Sequence, residues 1–225
     1  MTRPQRGWRV PLALVSLSAL PVVAGVLRLV QLRGGPEVMP ADARFTASPV
    51  AVVVHIVCSA VFALVGAFQF AGGFRRAHPR WHRVAGRLLV VAGLAVAVSA
   101  LWLTLFYPRK EGTGDLLFVL RLVAGSAMAA SLVWALLAIR RRDVATHRAW
   151  MMRAYALGLG AGTQVVTEGF GHALFGANVL ALDASRGLAW LLNLAIAEWA
   201  IRRGGRGPRR AVDRPRAEAL AADLL

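Results

Sequence analysis

From Leu88 to Tyr107 the chain reads LLVVAGLAVAVSALWLTLFY, twenty residues without a charge. A bilayer core about 30 Å thick is crossed by about 20 apolar residues in a helix. A soluble core needs no uninterrupted run of that length. Comparable runs recur, and six spans can be drawn: Val10–Leu32, Val50–Phe74, Leu88–Tyr107, Leu116–Ile139, Trp150–Phe170 and Ser185–Ile201. Lipid offers no partner to a free peptide group, so spanning segments are helices or closed barrels. The polar–apolar alternation of barrel strands is absent. The sequence therefore predicts an all-α, polytopic transmembrane bundle of six helices. A hydrophobic content of 57% and a mean hydropathy of +0.56 agree with it. The first span follows three arginines, as a signal peptide would. It exceeds an ordinary h-region and lacks a clear A-x-A site, so it reads as a retained helix kinked at Pro21.

The formal charge of +16 is distributed unevenly. Arginines precede the first span, fill the segments between spans two and three and between four and five, and follow span six. These positions hold 20 of the 27 basic residues. The alternate loops carry few, partly balanced by Glu37, Asp42, Glu111, Asp115 and Asp183. By the positive-inside rule the arginine-rich side is cytoplasmic, with both termini there, in the cell membrane. Residues 1–9 then form a cytoplasmic N-terminus and 10–203 the six-helix domain, with its core at 50–170. Residues 204–225 form a flexible basic cytoplasmic tail ending in AEALAADLL, a stretch suited to a brief helix. A nucleic-acid footprint would instead concentrate charge on one soluble module, and none is present. Cys58 is the only cysteine, which excludes an intrachain disulfide and CxxC chemistry. No Walker A, GxSxG or HExxH motif occurs, and an enzyme is the least supported class.

The polar residues on the spans form a pattern. HRVAGR at 82–87 and HRAWMMR at 147–153 each place a His-Arg pair at the start of an apolar segment. Paired arginines precede each at nearly the same distance, and the same offset pairs His55 with Arg121. Helices two-three and four-five thus read as two copies of one hairpin, with sites expected between the copies. Steps of three and four residues line up His55, Ser59, Phe62, Gly66, Gln69 and Gly73. They also align His82, Gly86 and Gly93 on the third helix, and His147, Gly158, Glu168 and His172 on the fifth. Such spacing gives one inward stripe per helix, with helices one and six packed outside the core. Glu168 and His172 read as a hydrogen-bonded pair, and Glu198 as the partner of Arg202 or of an arginine in the His-Arg loops. Arg121 lies within an apolar span and demands an acceptor: a carboxylate such as Glu168, helix-end carbonyls or an anionic ligand.

The blocks HIVCSAVFALVGAFQF, HPRWHRVAGRLLVVAG, RRRDVATHRAWMMRAYAL and LNLAIAEWAI resemble the family of bacterial membrane proteins called domain of unknown function 2306, from about Val50 to Arg202. The resemblance implies the membrane architecture and singles out His55, His82 and His147. It names no reaction. A more distant likeness is to the four-helix membrane cytochromes b, which hold haem between histidines on paired helices. That likeness implies haem b and electron transfer, with His82 and His147 as iron ligands. Gly86, Gly93 and Gly158 would then give clearance, and Arg83, Arg87, Arg148 and Arg153 would meet the propionates. A second class is a binding or transport module whose Arg and His hold a lipid phosphate, a quinone carbonyl or a small anion. A third is purely structural, with the His-Arg pairs tying the two hairpins together by hydrogen bonds.

Overall fold

The computed structural model describes residues 8–205. The brief helix expected at AEALAADLL lies outside that range, as does nearly all of the basic tail. The described chain contains α1 (Arg9–Leu32), α2 (Ala43–Ala47), α3 (Pro49–Phe68), α4 (Gly72–Ala77), α5 (Pro79–Phe106), α6 (Asp115–Arg140), α7 (Val144–Gly158), α8 (Gly160–Phe175) and α9 (Val179–Gly205). Five of these, α1, α3, α5, α6 and α9, are long and apolar enough to cross a membrane. Large apolar side chains such as Val91, Trp102 and Leu191 point outward and are at least half exposed. A belt of that extent belongs against lipid.

The expected spans are displaced at several ends. The apolar window of α5 stops at the first arginine, but the helix continues through it, because long basic side chains reach sideways to the polar boundary. So α5 starts at Pro79 rather than Leu88, and its first turns carry His82, Arg83 and Arg87. The second span is shorter than expected, with α3 ending at Phe68, and α9 starts at Val179, which moves Asp183 from a loop into a helix.

The fifth expected span is two helices, α7 and α8, with Leu159 between them. The sequence there, Gly158-Leu159-Gly160-Ala161-Gly162, admits three intruding groups at positions where a Cβ would collide. Phe62 lies against Gly158, the Trp190 indole against Gly160, and the Leu17 carbonyl against Gly162. At the break the Ala156 carbonyl accepts from Asn193 Nδ2 (3.1 Å). The same Asn193 accepts from Thr163 Oγ1 through Oδ1 (2.8 Å), so α9 staples both sides of the break.

The core lies in α3, α5, α6 and α7, around Phe62, Leu89, Val96, Met128, Leu132 and Tyr155. Phe62, 2% exposed, fills the space opposite both Gly93 and Gly158. Tyr155 packs over Gly66 and donates its hydroxyl to the Ala63 carbonyl (2.7 Å), joining α7 to α3. Lipid tails are as apolar as these side chains, so close packing and hydrogen bonds, not hydrophobic burial, hold such helices together. The expected inward stripe is therefore real for His55, Ser59, Gly93 and Gly158. Outside the core, α1 packs on α3 and α8, and α9 packs on α6, α7 and α8.

Candidate functional site

A cavity of about 410 Å³ lies between α1, α3, α5, α6, α8 and α9, toward the end of the bundle opposite the arginines. That volume falls within the ordinary range of about 300–1,000 Å³ for ligand sites. Most of the wall is apolar, with Val96, Ala97, Leu103, Met128 and Leu157 among its residues. The polar lining includes Ser59, Thr104, Gln164, His55 and Arg121 inside, with Arg44, Tyr107 and Lys110 toward the loops. Ser18, Pro21 and Gly25 of α1 and Trp190 of α9 complete the wall, so the flanking helices are part of the site rather than outside it. A smaller polar annex of about 30 Å³ adjoins it and shares Arg44, Thr104, Tyr107, Lys110 and Arg121.

His55 and Arg121 each stand six positions after the first residue of their helices, Pro49 and Asp115. At about 1.5 Å per residue, both lie about 9 Å along the axis from the same end of the bundle. Arg121 is exposed and lines this hollow between helices, and it makes no ion pair among the described residues. The reason lies in its neighbours. Asp183 and Glu168 are within electrostatic reach of Arg121. Both are already committed to Arg186: Glu168 pairs with one end of its guanidinium, and Asp183 Oδ1 meets the other at 3.4 Å. Asp183 Oδ2 also accepts from the backbone N–H of Gly114 (2.9 Å) and Leu117 (3.1 Å), capping α6 from a distant part of the chain. Glu168, expected to serve Arg121 or His172, serves Arg186 instead.

The mouth of the cavity is bordered by α2. Phe45 lies 6.2 Å from the Tyr107 ring, and Arg44 donates to the Pro108 carbonyl (3.2 Å). Asp42 caps α2 and binds the Arg44 guanidinium (2.8 Å at Nε). The hydrogen bond from Arg44 holds the Asp42 carboxyl below the usual carboxylate range, and Asp42 in turn raises Arg44. Arg44 is thus committed at the rim, which leaves Arg121 inside and Lys110 beside the annex as cations able to meet a ligand.

At the arginine-rich end, His82 and His147 each stand three positions after the start of their helices, Pro79 and Val144. Equal offsets put them at equal depth, and they are close enough to interact electrostatically. His82 Nδ1 donates to Gln69 Oε1, and His147 Nδ1 donates to the Ala135 carbonyl (2.9 Å). Each histidine therefore ties the second helix of a hairpin to its own first helix, α5 to the end of α3 and α7 to α6. The third class expected ties between hairpins; the bonds lie within them. Among the described residues neither ring has a hydrogen-bond partner at Nε2, the arrangement of a ligating histidine. The remaining supports for haem are not there. Phe62 occupies the clearance assigned to Gly93 and Gly158, leaving only Gly86 with open space, and Arg153 is bound by Glu198 (2.5 and 3.2 Å) rather than free for a propionate. Arg83, Arg87 and Arg148 are exposed. The residues present do not fit a macrocycle between α5 and α7.

Helices long and apolar enough to cross a membrane, packed around a ligand-sized cavity, define a multi-pass membrane protein. Residues 52–201 match the family described as "Predicted membrane protein (DUF2306)", and the chain belongs to that family. No curated protein and no solved structure matches the chain. The residues that sequence reasoning missed are Arg186, Asp183, Ser99, Gln164 and Asn193. Asp183 and Arg186 carried a usable signal, an opposite-charge pair three residues apart at the head of an apolar segment.

Proposed function

We propose that this protein is a non-redox membrane binding module that takes an amphipathic organic anion into the cavity, its head on Arg121 and its apolar part against the wall. The observation behind this reading is that Arg121 makes no ion pair among the described residues although carboxylates are near, both being spent on Arg186. An intramembrane cation in that state is a ligand site by default. In this reading α7 and α8 together make the sixth crossing. The arginine-rich end is cytoplasmic, and the cavity opens outward. Reporter fusions after Arg76 and Arg142 then give cytoplasmic activity; a periplasmic signal at either would reverse the orientation.

The binding test uses purified protein in phosphatidylcholine nanodiscs titrated with decanoate, with 1-decanol as the uncharged counterpart. Decanoate is expected to bind and decanol is not. Removing one partner of a desolvated charge pair costs about 2–5 kcal/mol, so Arg121→Gln should weaken decanoate by about thirtyfold or more. Arg121→Lys should retain part of the affinity. Equal binding of acid and alcohol, or no effect of Arg121→Gln, would dismiss the reading. So would a reduced-minus-oxidised spectrum showing haem b, which would restore the electron-transfer class.

A further inference from the structure

The polar groups of the cavity differ in what they can give. Ser99 Oγ lies 2.6 Å from the Ala95 carbonyl and 3.0 Å from the Val96 carbonyl. Its single hydrogen is committed to that backbone, so toward His55 it can only accept. The His55 Nδ1 at 3.0 Å must therefore carry the proton. A neutral imidazole has one donor and one acceptor nitrogen, which leaves Nε2 with a lone pair and no hydrogen. The same logic applies to two other wall residues. Thr104 gives its hydrogen to the Ala100 carbonyl (2.7 Å), and Gln164 gives an amide hydrogen to the Arg186 carbonyl (3.3 Å). Their remaining capacity toward the cavity includes acceptor oxygens. Beside Arg121, then, His55 offers the cavity an acceptor nitrogen and no donor.

We infer that the ligand is a hydroxylated carboxylate amphiphile, its carboxylate on Arg121 and a nearby hydroxyl donating to His55 Nε2. A plain fatty carboxylate would satisfy the guanidinium and leave the imidazole lone pair unpartnered, at a cost in affinity. This inference rests on the anion-binding reading above and adds the hydroxyl to it.

The test compares 3-hydroxydecanoate with decanoate on the full-length protein in phosphatidylcholine nanodiscs, with empty nanodiscs as the partition reference. The hydroxy acid should bind about fivefold to tenfold more tightly, the equivalent of one hydrogen bond. His55→Leu should remove that preference, so that the two acids bind alike. Ser99→Ala is the milder companion: it frees Nδ1 from its acceptor, unfixes the tautomer and should narrow the same gap. Equal affinity of the two acids in the native protein overturns this inference and leaves the anion site standing. A preference that survives in both variants places the hydroxyl elsewhere and also overturns it. Failure of both acids to bind overturns the anion site itself.

Discussion

Asp183→Ala is expected to destabilise the folded protein by about 3–5 kcal/mol, the usual cost of removing one member of a buried ion pair. Asp183 is fully buried, and three groups depend on it: the backbone N–H of Gly114, that of Leu117, and the guanidinium of Arg186. The first turn of a helix leaves its N–H groups without intrahelical partners, and here they lie where water is scarce. Gly114 makes the approach possible, since a Cβ there would stand 2.9 Å from Asp183 Oδ2. Deleting the carboxylate leaves these donors unpaired and loosens the hold of Glu168 on Arg186. Asp183→Asn, which keeps one acceptor oxygen, should recover part of the loss. Asp115→Asn is the control. Its carboxylate sits on the first turn of the same helix but is 86% exposed beside Arg109, and a surface pair of that kind contributes little. Equilibrium unfolding in mixed detergent micelles measures all three. Equal stability of Asp183→Ala and Asp115→Asn would mean that α6 is capped in some other way.

That contrast shows what could be read in the sequence. Helical character, the presence of several membrane-crossing helices and the inward stripe follow from hydropathy and from a spacing of three and four residues, because both are local. Asp115 has the local marks of a helix-capping acid, and Asp183 has none, since its role depends on how α9 meets α6. The fate of Arg121 was legible only as a demand for an acceptor. That Glu168 and Asp183 are taken by Arg186 is a fact of tertiary packing. The His-Arg repeat was legible as an equality of depth, and the offsets of His82 and His147 agree with it. What the two histidines bond to was not, because Gln69 and the Ala135 carbonyl reach them only after the hairpins close. The glycines of the third and fifth helices looked like clearance for a cofactor or like a single packing seam. The recesses at Gly93 and Gly158 instead share Phe62, those at Gly160 and Gly162 receive Trp190 and the Leu17 carbonyl, and that at Gly86 stays open.

Gly162 is the most demanding of those recesses, and Gly162→Ala is expected to cost about 1–3 kcal/mol or more, the range for forcing an extra methyl into a packed contact. The chain of causes begins on another helix. Pro21 lies inside α1 and has no N–H, so the Leu17 carbonyl one turn earlier has no helical partner. That oxygen turns to α8, where a Cβ on Gly162 would stand only 2.3 Å from it. A glycine Cα can approach a carbonyl closely and offer a weak C–H contact; a methyl group cannot. The obstacle is backbone rather than a flexible side-chain end, so α1 and α8 must separate, and both line the cavity through Pro21 and Gly162. The variant should therefore lose decanoate affinity together with stability. Gly86→Ala gives the opposite expectation, because nothing lies within 4 Å of a Cβ there. Alanine is the better helix former by up to about 1 kcal/mol, so that variant should be unchanged or slightly more stable. Unfolding curves that rank Gly162→Ala level with Gly86→Ala would show that α1 does not approach α8 through the Leu17 carbonyl.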